Sequence, residues 1–146
     1  MTRDLDFAQR GSIAVELAIL TPAIIVFFMV MVIAGRLTLA HQAAEAAAFD
    51  AARTASLARD ATTAHNQATS AALTSFRSQG IECITLSVEV NTAGFAIEPP
   101  APATVTVAVS CDVQLEDVAL PGAPGSVTLS ANFTSPLDRY RSRSTS

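Results

Sequence analysis

The hydrophobic pattern of the chain begins with one long apolar segment. Residues 17–34 carry no charge, and only Thr21 and Pro22 among them are not plainly apolar. At 1.5 Å per residue this segment can cross a hydrocarbon core of ~30 Å, so it predicts a membrane-spanning helix. Membrane helices tolerate an internal proline, and Pro22 predicts a mild kink between Ala18 and Pro22.

An alanine repeat follows the apolar segment. Its alanines recur about every 3.6 residues, which is the period of an α-helix. The members are Ala40, Ala44, Ala47, Ala51, Ala55, Ala58, Ala61, Ala64, Ala68 and Ala72. Because residues 37–78 contain no proline or glycine, we expect the membrane helix to continue without a break to a C-terminal cap near Gly80. The repeat predicts close packing against the following strands or a neighbour's helix; alternatively, alanine is present only as the best helix former.

After Gly80 the pattern changes to alternation of apolar and polar residues, which is typical of half-buried strands. The expected inward positions are Ile84, Leu86, Val88 and Val90, then Val105, Val107, Val109, Cys111, Val113 and Leu115, and finally Val127, Leu129, Ala131 and Phe133. A proline-rich loop at 91–103, with Phe95 and Ile97 tucked in, and a turn at 121–125 separate the strands. Short connections favour an antiparallel, three-stranded sheet with one face on the helix.

Two cysteines lie in this part of the chain. Cys83 and Cys111 are candidates for a disulfide that closes a loop of about 29 residues, and such a loop contributes roughly 3–4 kcal/mol to stability. By the alternation of its strand, Cys83 is expected on the polar face of the sheet, whereas Cys111 is expected on the apolar face. A bridge between them therefore requires a bulge or a strand that begins after Cys83. Two unlinked thiols are the alternative.

Together these patterns predict an α+β fold in five segments. They are a leader or cytoplasmic stub at 1–11, a transmembrane helix at 12–35, an extracytoplasmic alanine-rich helix at 36–79, a small β-sheet domain at 80–136 and a flexible basic tail at 137–146. Arginines flank the apolar segment equally on both sides, so the positive-inside rule does not orient it. The cysteine pair favours a cytoplasmic N-terminus, since disulfides persist outside the cytoplasm.

Motifs for catalysis or cofactor binding are not found in the sequence. There is no phosphate-binding loop, no Gly-x-Ser-x-Gly and no His-Glu-x-x-His, which predicts a protein without catalytic residues or cofactors. His41 and His65 have no cysteine or carboxylate at ligand spacing, so no metal site is expected. The formal net charge of −4 argues against a general nucleic-acid binder.

Glu16 stands at the edge of the apolar segment, where an ionised carboxylate costs up to ~2–3 kcal/mol. A cut between Gly11 and Ser12 would give this carboxylate a role. The new ammonium group of Ser12 would lie about 6 Å from Glu16 along the helix, and Glu16 would occupy the first turn, where the helix dipole favours a negative charge. In a bundle of such helices, Glu16 would instead neutralise the amino terminus of a neighbour.

The sequence around Gly11 resembles the processing site of type IV pilin-like proteins. In that site a glycine precedes the cut, serine is the first residue of the mature chain, glutamate is the fifth, and a long apolar run follows. The fuller string from Gly11 to Pro22 is similar to the TadE/TadG-like family of the tight-adherence (Tad, Flp-type) pilus systems. The resemblance implies a prepilin peptidase that cuts Gly11–Ser12, and a pilin-like layout of a long helix followed by strands. Leu17 stands where processed pilins of this class often have an aromatic residue, which keeps an uncut anchor as an alternative.

The resemblance therefore implies a non-enzymatic, single-pass minor pilin or pilus-assembly subunit in the cell membrane or pilus. Its implied partners are membrane lipid, a prepilin peptidase, other pilin-like subunits and the Tad assembly machinery, with no nucleic acid. The alternative is an unprocessed extracytoplasmic scaffold or binding domain. A secretory signal peptide is a further alternative, but the apolar segment exceeds the usual ~7–15 residues of such peptides.

Overall fold

A computed structural model describes residues 4–118, 122, 124–140 and 142, without the side chains of residues 4–14 and 118. The chain divides into two compact units, Met1–Gly35 and Arg36–Ser146. The elements in chain order are α1 (Asp4–Leu57), α2 (Ala61–Ser78), β1 (Thr85–Asn91), a 3-10 helix (Ala93–Ala96), β2 (Thr104–Gln114), α3 (Leu115–Val118) and β3 (Ser126–Pro136). The predicted α+β class, with a long apolar N-terminal helix and three antiparallel strands, is confirmed.

The expectation of one unbroken helix to residue 79 is wrong, because the helix ends at Leu57 and a second one begins at Ala61. The break is produced by Asp60, which has an extended backbone (φ −139°, ψ 161°). Its Oδ1 accepts a hydrogen bond of 2.7 Å from the backbone N–H of Thr63, which is the geometry of an N-cap. The alanine repeat continues on both sides of Asp60, so its spacing did not indicate a break at this residue.

The second helix returns along the first as a helical hairpin. Ser75 Oγ donates a 2.9 Å hydrogen bond to Asp50 Oδ2, 25 residues earlier, and Gln79 Nε2 lies 3.5 Å from the backbone oxygen of Ala43. Gly80 then takes the left-handed φ of +73° that the predicted C-terminal cap requires. Asp50 therefore joins α1 to α2 through its carboxylate.

The three strands form one sheet in the order β1-β2-β3, with both pairs antiparallel. Alternation along β2 places five apolar side chains inward with at most 1% exposure: Val105, Val107, Val109, Cys111 and Val113. Three predictions at strand ends and in the loop are wrong. Ile84 precedes β1 and is 58% exposed, Leu115 starts α3 instead of ending β2, and Ile97 is 41% exposed while Phe95 is buried.

Alanine side chains form most of the helical half of the core. Eight of the ten alanines in the predicted repeat are buried, together with a second row, Ala43, Ala48 and Ala52, that the repeat does not include. α2 packs against β1, while Phe49 of α1 contacts Phe133 of β3. The hairpin thus lies on one face of the sheet, and Phe76 is the largest fully buried side chain between the two layers.

We expect the stability of α2 to depend on the charge of Asp60. Hydrogen bonds from the Thr63 backbone N–H, and then from its hydroxyl, lower the pKa of Asp60 below 3.8. The capping contribution is therefore complete above pH 3.8 and is lost as the pH falls through the lowered pKa. Thermal melts by circular dichroism should show a smaller loss of stability in acid for Asp60→Asn than for the native chain. Equal acid sensitivity of the two proteins would contradict this cap.

Candidate functional site

The amino-terminal part of α1 has the properties of a membrane anchor. An 18-residue window of this helix has a mean hydropathy of 2.8, and none of its residues is buried within the protein. Apolar side chains face outward all round the helix from Leu17 to Val32, as a lipid environment allows and water does not. It is the one helix in the described part of the chain that is long and apolar enough to cross a membrane.

The expected cleavage site lies within this helix. The backbone of Gly11 and Ser12 is helical, since α1 begins seven residues earlier at Asp4; the Ser12 side chain lies outside the described residues. A peptidase that requires an extended backbone must therefore unwind the helix locally. Glycine at position 11 makes this easier, because glycine in a helix is roughly 0.5–1 kcal/mol less stable than alanine.

Glu16 is exposed on α1 one residue before the apolar segment. In the uncut chain it lies in the interior of α1, more than three turns from Asp4, so the helix N-terminus does not stabilise its charge. A chain that begins at Ser12 would place Glu16 in the first turn.

Pro22 lies inside α1, which continues through it without a break. Proline has no N–H, so the carbonyl of Ala18, four residues before it, receives no helical hydrogen bond from this position. The Thr21 hydroxyl donates a 2.6 Å hydrogen bond to the carbonyl oxygen of Leu17, the residue before Ala18. Such side-chain hydrogen bonds help membrane helices to tolerate an internal proline. The kink stays a prediction.

The cysteines are brought together at the start of the sheet. Cys83 and Cys111 form a disulfide in which the two Cα atoms are 5.4 Å apart, within the usual range. β1 begins at Thr85, so Cys83 precedes the strand and its parity places no constraint on the bridge. Ile84 N–H donates a 2.7 Å hydrogen bond to Asp112 O, which fixes this pre-strand segment beside β2.

Sequence reasoning missed one surface feature, an aromatic pair formed by Phe49 and Phe133. Their ring centroids are 4.9 Å apart in an edge-to-face arrangement, and the side chains are 42% and 39% exposed. Phe49 is the only aromatic residue between Arg36 and Leu57, and that isolation within an alanine-rich helix was the available signal. The described part of the chain contains no group of three or more His, Cys, Asp or Glu side chains that could hold a metal ion.

Comparison with protein families identifies the amino-terminal segment. Residues 11–53 match the family model described as TadE-like protein. The resemblance is confirmed over this segment. The TadE-like match includes Gly11, Ser12, Glu16 and Pro22, and it ends within α1, before the helical break, the disulfide and the sheet. Comparison with curated proteins and with solved structures gave no match.

Proposed function

We propose that this chain is a membrane-anchored minor pilin or pilus-assembly subunit of a tight-adherence pilus, with a structural rather than an enzymatic role. The observation that supports the proposal best is that the TadE-like match begins at Gly11 and continues through the exposed apolar helix. The TadE-like family is associated with the Tad pilus, and the apolar part of α1 provides the membrane anchor. A major Flp-type pilin would be much shorter, with little beyond its helix, which favours a minor subunit.

In this proposal the N-terminus is cytoplasmic and residues 36–146 are extracytoplasmic. The geometry of Cys83 and Cys111 supports this orientation, because disulfides persist in oxidising compartments. A prepilin peptidase cuts between Gly11 and Ser12 at the cytoplasmic face. Glu16 then pairs with the amino terminus of a neighbouring pilin-like subunit, and this ion pair offsets the cost of a carboxylate at the membrane in the assembled state.

Processing is tested by the intact mass of the protein recovered from its native host membranes. We expect a mature chain that begins at Ser12. A bulky substitution, Gly11→Leu, should leave the full-length chain uncut, whereas Gly11→Ala should still be cut in part, since alanine adds only a methyl group. Recovery of the native chain with Met1 in place would contradict the cleavage and would favour the uncut scaffold or binding domain.

The role of Glu16 is tested by Glu16→Gln, which removes the charge and keeps the side-chain shape. We expect an unchanged or higher amount in the membrane and a roughly tenfold loss of incorporation into pili or assembly complexes, because a hydrogen bond to a charged group contributes about 1.5–3 kcal/mol. Quantitative immunoblotting of membranes and sheared pili measures both. Glu45→Gln, an exposed position of the same helix outside the apolar segment, is the matched control. Normal incorporation of Glu16→Gln would end the charge-pairing proposal.

A further inference from the structure

A cavity of 340 Å³ lies where α1, the segment after α2 and α3 come together. Its volume is within the ~300–1,000 Å³ that is usual for small-molecule sites. Charged, amide and apolar side chains share its wall, among them Arg36, Leu39 and Gln42 of α1, Gln79 and Ile81 after α2, and Asp117 of α3. Such a wall suits a small ligand that has both charged and apolar parts.

The α1 side of this cavity begins directly after the apolar segment. Arg36 is the second residue after Ala34, where that segment ends, and Leu39 is the fifth. At 1.5 Å per residue they lie roughly 3 Å and 7.5 Å further along the helix. One headgroup layer is roughly 5–8 Å thick, since a bilayer measures ~40–45 Å with its headgroups and ~30 Å without them. Both residues therefore lie at headgroup depth when α1 spans a membrane, and helical side chains lean back toward the N-terminus.

The charges around the cavity are balanced. Arg36 and Asp117 line it, and Arg77 and Glu82 line an adjoining cavity to which Asp117 also belongs. Two guanidinium groups and two carboxylates give these walls a formal charge of zero. A ligand that carries both a cation and an anion suits them better than an anion alone, because the carboxylates repel an anion.

The cationic part of the ligand meets hydrogen-bond acceptors. Gln79 Nε2 donates to the backbone oxygens of Ser75 and Ala43, at 3.2 and 3.5 Å, which leaves the amide oxygen of Gln79 to accept a hydrogen bond. The Asp117 carboxylate is a second and stronger acceptor. A primary ammonium group has three N–H donors for these oxygens, whereas a quaternary ammonium group has none.

We propose that this cavity binds a membrane phospholipid whose headgroup carries a primary ammonium, with Arg36 on the phosphate and Asp117 on the ammonium. The phosphate of such a lipid is attached to its glycerol, so it suits Arg36, the charge nearest the apolar segment along the chain. Leu39 favours a lipid over a free zwitterion, since its 65% exposed side chain would meet the glycerol and acyl chains rather than water. The proposal rests on the membrane anchor proposed above, but not on its orientation, on cleavage at Gly11 or on pilus assembly.

Native mass spectrometry of the full-length chain, released from detergent micelles with one added phospholipid, tests the proposal. The probes are dioleoylphosphatidylethanolamine and dioleoylphosphatidylcholine, which differ only by three N-methyl groups. We expect the ethanolamine lipid to bind roughly tenfold more tightly, because methylation removes the hydrogen bonds to a charged acceptor. Dioleoylphosphatidylglycerol, which has no ammonium, should also bind more weakly. Free glycerophosphoethanolamine at equal concentration should not displace the ethanolamine lipid.

Variants of the protein assign the two charges. Asp117→Asn should abolish the preference for ethanolamine over choline, whereas Arg36→Gln should weaken both lipids equally and keep the preference. Glu116→Gln changes the neighbouring acid of α3, which does not line the cavity, and Arg53→Gln changes an exposed arginine further along α1. Both controls should bind lipid as the native chain does. Circular dichroism and recovery in the membrane fraction confirm that each variant is folded and anchored.

Four results would overturn the proposal for a chain that is recovered in membranes, and they would leave the anchor itself intact. They are equal affinities for the ethanolamine and choline lipids, a preference that survives Asp117→Asn, tighter binding of phosphatidylglycerol, and displacement of the lipid by the free headgroup. Tighter binding of phosphatidylglycerol would indicate a site for anions, and displacement by the free headgroup would indicate a soluble ligand. A native chain absent from the membrane fraction would overturn the anchor and this proposal together.

Discussion

Replacing Cys83 and Cys111 together with alanine is expected to lower the free energy of unfolding of residues 36–146 by about 3–4 kcal/mol. The bridge joins residues 28 positions apart, and a loop of this size restricts the unfolded chain by roughly that amount in the chain-entropy model. The cost should be large relative to the total, because small domains are typically only about 5–15 kcal/mol more stable than their unfolded chains.

The position of the bridge adds a structural reason. It fastens the segment before β1 to the core face of β2, where Cys111 lies opposite both Leu86 and Leu129. Cys83 lies five residues after α2 ends at Ser78, so the same bond limits how far the helical hairpin can move from the sheet. Its loss should therefore loosen the junction of the two layers as well as the strand pairing.

Urea denaturation of the full-length chain in detergent, followed by circular dichroism, measures this effect. Reductant should shift the native midpoint most of the way to that of the double alanine variant, and it should have no effect on the variant itself. A native midpoint that is the same with and without reductant would contradict a stabilising disulfide.

The sheet was the most predictable part of the fold, because burial enforces its pattern. A one-residue slip would turn Val105, Val107 and Val109 of β2 outward, so alternation in the sequence determines which face is inward. The strand ends were less predictable. Leu115 keeps the apolar parity of β2 but starts α3, and Ile84 keeps that of β1 but precedes it, since parity alone does not say where hydrogen bonding between strands stops.

The break between the two helices of the hairpin could not be predicted from the alanine-rich composition of this segment. Ala58 and Arg59 both favour helix, so only Asp60, a weak helix former that caps the N–H of Thr63, specifies the break. The contacts that follow, Asp50 with Ser75 and Phe49 with Phe133, join residues 25 and 84 positions apart. Local patterns do not encode such separations. By contrast, the segment from Gly11 to Pro22 was recognisable because its residues form one contiguous string.

The hairpin and the sheet approach each other through alanine side chains, and we expect a larger residue there to be costly. Ala47 is fully buried in the core, whereas Ala46, its neighbour on α1, is exposed. Ala47→Leu inserts three carbon atoms where the opposing helix and sheet leave no space, which should destabilise residues 36–146 by about 2–3 kcal/mol. The helix itself is not the reason, because leucine and alanine are both strong helix formers.

Ala46→Leu is the matched control, since it makes the same substitution one residue away on the same helix. Its unfolding midpoint in urea should stay within about 0.5 kcal/mol of the native value, as surface substitutions usually do. Equal effects of the two substitutions would mean that alanine serves only helix propensity, which the repeat alone left open. A cost confined to Ala47→Leu would mean that the repeat is a packing surface, on which side-chain size limits how closely α1 can approach α2 and the strands.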